Sequence, residues 1–256
     1  MNKILILSII FVSFLGFTSC EKEEIETYQD TDNIYFSNAL YAPNGISEPV
    51  RDSTGFSFSL DRPTITGRIF KIPIRVQGNL SDVDRKVKLT VDPSSTAIEE
   101  THFSLPKEIY LHAGKHVDTV EVTFFRTPDM KTNQYTLVLN LEENEWFTTK
   151  MQTKVVNSIT GKTMSFVRCK ITFDDKLTQP PGWFAAYLGV FTAKKFFLMC
   201  ELMDLEPEMF AQKLGSPGLT VPDVTYYQNF MKRYLADQKK SGNTIYEEDG
   251  TEMFLP

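Results

Sequence analysis

The residues best suited to metal chemistry are the three histidines of the chain. His112 and His116 flank residues 113–115, where they could face each other across a hairpin turn, and His102 is the remaining histidine. Zinc requires about four ligands in a tetrahedral array, of which catalytic sites take about three from the protein. Because the sequence has no HExxH or CxxC spacing, we expect exposed turn histidines and neither a bound metal nor a cofactor.

Nucleophilic and acid–base catalysis have no strong signature in the sequence. The chain lacks a G-x-S-x-G elbow, and neither Cys169 nor Cys200 lies in a polar segment near a histidine. The carboxylates at 174–175 and 247–249 are adjacent in sequence, whereas acid–base work depends on their spatial separation. No glycine-rich phosphate loop is present. We therefore predict that the protein is not an enzyme.

Binding is better supported than catalysis, because the chain has 20 Phe, 10 Tyr and 2 Trp. Aromatic faces suit stacking on sugars or peptides. Trp146 lies in a charged stretch between predicted strands and is our candidate for ligand contact; the alternative is that its ring packs on the edge of the fold. Trp183 is expected to join the two predicted parts of the chain, a β-sandwich and a helical C-terminal domain. The polar residues 151–162 predict a long hairpin excursion, a type of loop that often carries recognition.

Cys20 is suited to a different chemistry, the attachment of lipid. A single lysine precedes an apolar segment, residues 4–17, that is shorter than the ~20 residues needed to cross a bilayer, and two small residues lead into Cys20. This arrangement resembles a bacterial lipoprotein box, although Phe17 and Ser19 depart from its commonest residues. The resemblance implies that residues 1–19 are removed and that Cys20 is acylated, for example with palmitate. The alternative is a plain secretory signal with an incidental cysteine.

Residues 20–31 are polar and acidic, and we expect them to form a solvated tether after the anchor. Residues 21–24, Glu-Lys-Glu-Glu, are similar to an export pattern of Bacteroidota lipoproteins, which implies the outer face of the outer membrane; its periplasmic face is the alternative. Loss of the signal segment changes the net charge from −6 to −7, because it removes one lysine and no acid. No basic stripe is visible, so nucleic acid is not an expected partner.

Cys169 and Cys200 are the cysteines that remain once Cys20 is acylated. Two cysteines do not make a disulfide framework. An exported protein permits them to pair, but each lies among apolar residues, as buried free thiols do. Both outcomes stay open.

The elements that position these residues are predominantly β-strands between residues 32 and 176. Apolar and polar residues alternate in six runs: 56–60, 70–76, 87–91, 120–124, 135–141 and 167–173. A period of two is typical of strands with one buried face. We predict an antiparallel, immunoglobulin-like β-sandwich of about seven to nine strands. Pro73 lies inside one run, so that strand is expected at an edge or at a bulge.

One segment has a more specific pattern, carried by Ser95-Thr96-Ala97, His102-Phe103, Leu111, Gly114 and Val120-Glu121-Val122. With these residues, segment 92–143 resembles the Calx-beta type of sandwich repeat, which implies the fold and, in that family, calcium bound by acidic side chains at one end. Arg126 follows the corresponding strand where acidic residues would be expected, and a cation there opposes calcium. We therefore expect the fold without the metal.

Composition changes at residues 179–182, a breaker cluster that predicts a boundary between the sandwich, 32–176, and a small helical C-terminal domain, 177–256. Steps of four, three, four and three residues predict one helical face, made of Phe184, Leu188, Phe191, Lys195 and Leu198. Gly189 weakens this helix, and Thr192 is a predicted N-cap.

Two further helices are predicted in this C-terminal part. One begins at Glu206, with a proline in its first turn, and the other covers residues 224–239 with Gly242 suited to its end. The tail, 243–256, is acidic and partly aromatic, and its structure is not assigned.

Nearly the whole mature chain resembles one protein family. The residues that carry this resemblance are 32–36, Trp183, Leu188-Gly189, Phe191-Thr192 and Lys195. The family is a surface lipoprotein family of Bacteroidota, with a domain of unknown function, commonly encoded beside SusC/SusD-type uptake machinery. The resemblance implies three partners: outer-membrane lipid through Cys20, SusC/SusD-like proteins and a glycan. We predict a lipid-anchored, surface-exposed outer-membrane lipoprotein that is a non-catalytic accessory binding protein of a glycan or nutrient uptake system. The alternative is a surface adhesion or structural protein–protein interaction module.

Overall fold

The computed structural model describes residues 31–41, 49–215 and 217–256. Cys20, the predicted signal segment and the tether before Thr31 lie outside the described residues. Lipidation at Cys20 therefore stays a prediction. The twelve β-strands of the described part are β1 Asn33–Phe36, β2 Ser53–Ser57, β3 Gly67–Gln77, β4 Arg85–Lys86, β5 Lys88–Val91, β6 Phe103–Ser104, β7 Tyr110–Leu111, β8 Val117–Phe125, β9 Tyr135–Glu142, β10 Thr153–Asn157, β11 Lys162–Ser165 and β12 Arg168–Asp174.

The first four-stranded sheet has the order β1-β3-β8-β6, and its neighbouring strands are antiparallel. Strand β8 shows why the sequence pattern is informative. Val120, Val122 and Phe124 are buried, whereas Glu121 between them is exposed. Because successive side chains of a strand point to opposite faces, this alternation gives the sheet one apolar face.

The second four-stranded sheet has the order β2-β12-β9-β5 and packs its apolar face on that of the first. The predicted sandwich is thereby confirmed, but the expectation of antiparallel strands is wrong for one pair. Strand β2 runs parallel to β12, with Ser53 opposite Lys170. Parallel neighbours need a long connection, and here the connection includes most of the sandwich. Two shorter antiparallel pairs, β4–β7 and β10–β11, complete the β-structure of the described residues.

Large aromatic side chains fill the space between the two sheets. The rings of Phe124 and Phe173 lie 4.6 Å apart edge to face, and Phe56 packs 5.1 Å from Phe124 in the same manner. Edge-to-face contacts add stability beyond the area that the rings bury. Pro73 pairs with Thr119 of β8, while β1 pairs with β3 only over residues 74–77. Pro73 thus lies where β3 has a single strand neighbour. The expectation of an edge strand or a bulge is nevertheless wrong, because β3 is an inner strand of its sheet and its register with β8 is continuous through Pro73.

The C-terminal part contains the helices α1 Ala185–Leu188, α2 Ala193–Leu202 and α3 Val221–Lys240, and the 3-10 segments of the described chain are Ser37–Ala39, Pro128–Lys131 and Pro207–Ala211. Gly189 separates α1 from α2 with a φ of +75°, a left-handed conformation that glycine adopts without strain. The hydroxyl of Thr192 accepts a hydrogen bond from the backbone N–H of Lys195 at 3.1 Å. The predicted N-cap is therefore confirmed.

Three helical expectations need correction. Phe184 does not share a helical face with Leu188, because α1 begins after Phe184 and ends before Gly189. The helix expected from Glu206 is a five-residue 3-10 segment. The helix expected over 224–239 begins at Val221, because Asp223 accepts a bond from the backbone N–H of Thr220 at 2.8 Å and caps that turn.

The tail returns to the helices. Tyr246 and Glu252 form an antiparallel bridge, and Leu255 is buried in the same core as Phe196 and Met231. The described residues from Thr31 to Pro256 belong to one compact unit, so the domain boundary at 176–177 stays a prediction.

Cys169 is buried in the sandwich core and Cys200 in the helical core, and both thiols are free. Burial raises the pKa of each thiol to about 12. Of the two outcomes that the sequence left open, the structure has buried free thiols.

Candidate functional site

A cleft of about 710 Å³ lies between one end of the sandwich and helix α2. Its sandwich wall contains Pro63, Ile65 and Pro128, and its helix wall contains Phe197 and Leu198. Clefts of this size with predominantly apolar walls and a few polar groups are typical of small-molecule sites. The cleft is our candidate functional site.

Charged side chains lie around the apolar walls. Lys131 comes from the sandwich, and Lys194 and Glu201 come from α2. All three are exposed. The cleft can therefore hold the apolar surface of a ligand against its walls while its rim contacts polar or charged ligand groups.

The ion pair of Arg126 and Asp175 shapes the buried side of the cleft. The guanidinium donates two parallel hydrogen bonds to the carboxylate, at 2.9 Å and 2.7 Å, and Asp175 is 4% exposed. The remaining terminal nitrogen of Arg126 donates to the backbone carbonyl of Arg62 at 3.1 Å. Bidentate pairs are strong and geometrically specific. Arg126 thus holds the loop before β3 against the end of β12, which fixes the sandwich wall of the cleft.

Arg126 is also the cation that stands where the Calx-beta resemblance implies calcium ligands. Its cation neutralises Asp175 at the end of the sandwich, so that carboxylate is already engaged by a protein cation. Within the part of the chain that the structure describes, no group of three or more His, Cys, Asp or Glu side chains is arranged to hold a metal ion.

His102 is buried near the cleft, but both of its ring nitrogens are engaged. Nδ1 accepts a hydrogen bond from the backbone N–H of Ile98 at 3.0 Å, and Nε2 lies 3.3 Å from Oδ2 of Asp129. Nδ1 is therefore unprotonated and Nε2 donates to the carboxylate. A general base needs a ring nitrogen free to accept a substrate proton. We interpret His102, stacked 3.9 Å from the ring of Tyr135, as a structural residue.

Asp129 organises this end of the sandwich. The neighbouring side chains of Thr127, Tyr135 and His102 hold the pKa of its carboxyl well below the usual range. The same contact with Asp129 raises the pKa of the Tyr135 phenol. A carboxylate in this state accepts hydrogen bonds and does not supply a proton near neutral pH.

The other two histidines do not join His102. Nδ1 of His112 contacts Oδ2 of Asp118, and the backbone carbonyl of His116 accepts a bond from Val76. Val76 is near the end of β3, where it pairs with Ile34 of β1. These histidines therefore lie where β3 finishes, whereas the cleft lies where β3 begins.

The carboxylate runs singled out in the sequence are engaged separately. Asp174 accepts a bond from Gln134 at 3.0 Å, while Asp175 binds Arg126. Glu247 accepts a bond from the Thr192 hydroxyl at 2.6 Å, and Glu248 accepts one from the backbone N–H of Lys194 at 2.6 Å. These acids serve as ion-pair partners and helix caps.

Trp146 keeps contact with solvent, since 38% of the residue is exposed. The side chain of Asn144 accepts bonds from the backbone N–H groups of Trp146 and Phe147, each at 2.9 Å, and this turn leaves the indole outward while Phe147 is buried. Asn144 and Glu145 line a second cavity of about 340 Å³. Trp146 follows the end of β9, the strand that begins at Tyr135 near the cleft. An eight-residue strand spans about 27 Å, so Trp146 and the cleft are separate candidates.

Trp183 lies in the helical core. Its ring packs 5.2 Å from Phe191 and 6.1 Å from Phe196, and its Nε1 donates to the carbonyl of Gly189 at 2.9 Å. Leu60, which precedes β3, packs on the same core. The expectation that Trp183 joins the two bodies stays a prediction.

The sequence did not reveal the cleft, because its walls come from segments far apart along the chain. Arg126 carried a signal, as a cation at the end of a predicted strand. Phe197 and Leu198 carried only a helical periodicity, which does not distinguish a core face from a cleft wall. None of the helices in the described ranges is both long and apolar enough to cross a bilayer.

A family model described as "Domain of unknown function (DUF4843)" matches residues 28–205. No curated protein matches the chain. The chain is similar to the solved structure of CBD12 from CALX1.2, at 10% identity and a TM-score of 0.33, over 56% of this chain and 43% of that one. It is also similar to two proteins of unknown function from Bacteroides ovatus. The first has 15% identity and a TM-score of 0.33, over 55% of this chain and 43% of that one. The second has 16% identity and a TM-score of 0.34, over 57% of this chain and 46% of that one. The chain spans less than half the length of each of these structures.

Proposed function

Because the chain belongs to the DUF4843 family and has a cleft suited to small-molecule binding, we propose that it is a lipid-anchored, non-catalytic accessory binding protein of a glycan or nutrient uptake system. Acylated Cys20 would hold it to the outer membrane, with its body on the cell surface. SusC/SusD-like uptake proteins are the proposed partners. Support for the anchor and for these partners comes from the lipoprotein-like N-terminus and the family resemblance of the sequence.

The cleft at the sandwich–α2 junction is the observation that carries the binding proposal. Its walls are apolar and its rim is charged. A sugar ring also combines two surfaces, an apolar C–H face and polar edges. Such a ring can lie on Phe197 and Leu198 while its hydroxyls bond to Lys131, Lys194 or Glu201.

The engaged state of Asp175 and His102 favours binding over catalysis. Near the cleft, Asp175 is held by Arg126 and His102 uses both ring nitrogens. A reaction would need a group free to exchange a proton or attack a substrate. Turnover of an ester, peptide or glycoside by the purified protein would overturn the non-enzyme proposal.

A second candidate function is adhesion or a structural contact with another protein. It is favoured by apolar side chains exposed in the helical part: Val190 is 78% exposed and Phe254 is 68% exposed. They are neighbours, because the backbone carbonyl of Phe254 lies close to Gly189. Exposed apolar patches commonly mark protein contacts.

A glycan array probed with the mature chain separates the two functions. The cleft variant is Ile65→Glu, which puts a charge on the apolar wall, and the matched control is Ile69→Glu, since Ile69 is a similarly exposed isoleucine that does not line the cleft. We expect Ile65→Glu to weaken glycan binding about tenfold or more and Ile69→Glu to leave it unchanged.

Trp146→Ala completes this experiment. Loss of binding in Trp146→Ala with retention in Ile65→Glu would move the site from the cleft to the surface around Trp146. An array without any bound glycan, together with co-purification of a membrane protein, would refute the glycan proposal in favour of the protein contact.

The lipid anchor has its own test. The variant Cys20→Ser should be absent from the membrane fraction, and its persistence there would refute lipid attachment at Cys20.

A further inference from the structure

The hairpin β10–β11 is fixed at its base and free at its tip. At the base, Phe166 donates a backbone bond to Gln152 at 2.9 Å, and Ser165 donates one to the carboxylate of Asp52 at 2.7 Å. Met164 is buried in a small cluster with Tyr35. The hairpin pairs with neither four-stranded sheet. Its base is therefore part of the fold, while residues 155–161 extend beyond it.

The free end of the hairpin carries apolar side chains in solvent. Val155 is 61% exposed and Val156 is 41% exposed in β10, and Ile159 in the turn is 94% exposed. Single exposed apolar residues are ordinary, but three within five positions concentrate apolar surface at the tip of the hairpin. Hairpin turns are commonly built from glycine, asparagine and other polar residues, so the turn itself does not require an isoleucine.

The geometry of the turn holds Ile159 outward. The side chain of Asn157 accepts bonds from the backbone N–H groups of Ile159 and Thr160, each at 2.9 Å. Gly161 completes the turn with a φ of +67°. An apolar side chain presented by such an ordered turn is suited to insertion into an apolar layer.

The hairpin and the strand after it are basic, although the chain carries a net charge of −6. Between Glu145 and Asp174 there is no acidic residue, and the cations are Lys150, Lys154, Lys162, Arg168 and Lys170. Within the described residues, Lys154 and Lys162 of the hairpin form no ion pair with a carboxylate. Their charge is available to an anionic partner.

The base of the hairpin lies beside the N-terminal end of β1, the first strand of the described chain. Thr148 donates a backbone bond to Asp32 at 2.8 Å, and the backbone N–H of Lys150 donates to the side chain of Asn33 at 2.8 Å. From Cys20 to Thr31 the chain has a maximum reach of about 40 Å. If Cys20 carries lipid, as proposed above, the membrane surface lies within that reach of the entry point.

We propose that the tip of the β10–β11 hairpin binds an anionic lipid surface. Ile159 and Val156 lie at the boundary between head groups and acyl chains, and Lys154 and Lys162 contact lipid phosphates. A lipid anchor supplemented by a basic, apolar contact holds a protein more firmly than one signal alone. A protein partner is less favoured, because a stable protein interface buries about 800 Å² on each side, more than a few residues of a hairpin tip supply.

Vesicle flotation of residues 21–256 tests this contact without the anchor, since this segment contains the whole compact unit Thr31–Pro256. The probes are vesicles of phosphatidylethanolamine and phosphatidylglycerol, and vesicles of phosphatidylcholine alone. We expect binding to the anionic vesicles only, weakened by high salt. Ile159→Asp should lower partitioning about tenfold, and the double variant Lys154→Gln/Lys162→Gln about thirtyfold, since each lysine near an anionic surface contributes about a factor of five.

Ile69→Asp is the matched control, because Ile69 is an exposed isoleucine of β3 that lies in neither the hairpin nor the cleft. It should partition as the unaltered chain does. Absence of binding to both kinds of vesicle, or an equal loss in Ile69→Asp, would overturn the proposal. So would capture of an acidic protein that depends on Ile159 in the absence of vesicle binding. Because the chain used here lacks Cys20, a negative result leaves the anchor and the cleft to their own tests.

Discussion

The sandwich and the helical part are stabilised by different kinds of contact. In the sandwich, strands distant in sequence pair through long ladders, and aromatic side chains such as Phe124 and Phe173 fill the space between sheets. In the helical part the helices are joined by loops, and an ion pair between Lys195 and Glu247 at 2.9 Å ties the tail to α2. The sandwich thus depends on backbone ladders and aromatic packing between sheets, whereas the helical part depends on side-chain packing around Phe196 and on this ion pair.

The family match covers the whole sandwich but only part of the helical region. The matched residues, 28–205, include the sandwich, α1 and α2 but not α3 or the tail. The core around Phe196 nevertheless contains Met231 of α3 and Leu255 of the tail. Helix α2 also forms one wall of the cleft. Residues beyond the match are thus part of what positions the candidate site.

The largest effect we expect is on thiol reactivity, since each region has one buried thiol. A pKa raised to about 12 from an ordinary value of 9.0 lowers the thiolate fraction at mildly alkaline pH about a thousandfold, for Cys169 and Cys200 alike. Both should resist iodoacetamide in the native protein. Under increasing denaturant, pulse labelling read by mass spectrometry should detect Cys200 first, because the helical core depends on fewer elements. Earlier labelling of Cys169 would contradict this order.

Removing one core ring from each region tests whether they unfold together. Phe124→Ala and Phe196→Ala each empty a fully buried site, and each should lower the free energy of unfolding by about 4 kcal/mol. We expect a separate early transition in Phe196→Ala only, because the sandwich keeps its own core. Circular dichroism and tryptophan fluorescence measure this, since Trp183 is in the helical core. Coincident transitions in both variants would show that the two regions are one cooperative unit.

The buried ion pairs give the next effect. Glu247→Gln leaves the ammonium of Lys195, which is 3% exposed, without its carboxylate and should cost about 3 kcal/mol. Asp175→Asn is the matched change in the sandwich, where it leaves Arg126 unpaired. Amide hydrogen exchange should show that Glu247→Gln loosens α2 and the tail, whereas Asp175→Asn loosens residues 61–65. Exchange that rises uniformly in either variant would refute this localisation.

Acid should produce the smallest effect, through partly exposed carboxylates of the sandwich. Hydrogen bonds from the Ser94 side chain, then Asn140, hold the pKa of Asp92 below its ordinary value. A carboxyl whose pKa is lowered on folding stabilises the fold above its unfolded pKa of about 3.9, and this stability is lost as pH falls through the lower folded pKa. The urea midpoint should therefore fall in acid, and less steeply in Asp92→Asn. An unchanged slope in that variant would show that Asp92 is not among the groups responsible.

The sequence was informative where structure depends on neighbours along the chain. Alternation located β8 and β9, and Thr192 was recognisable as an N-cap because its hydroxyl acts three residues away. The parallel pairing of β2 with β12 was not visible, because the choice of partner is made by the whole sheet.

The same reason explains what was missed at the candidate site. The burial of Lys195 depends on Glu247, and the cleft depends on where α2 docks against residues 63–66. Both are tertiary contacts that periodicity does not encode. Trp146, which the sequence did single out, is exposed as a ligand contact must be, and its role stays a prediction.

The parallel pair also constrains the order of folding. Ser57 of β2 bonds to Asp174, 117 residues later, so the early strand has no partner until nearly all of the sandwich has been made. Such non-local pairing gives a high contact order and slow folding. While the chain is being synthesised, β2 therefore has no strand partner, and unpaired strand edges favour aggregation. If the chain is exported, as proposed above, this late closure keeps it competent for transport. A truncation before β12 should be insoluble.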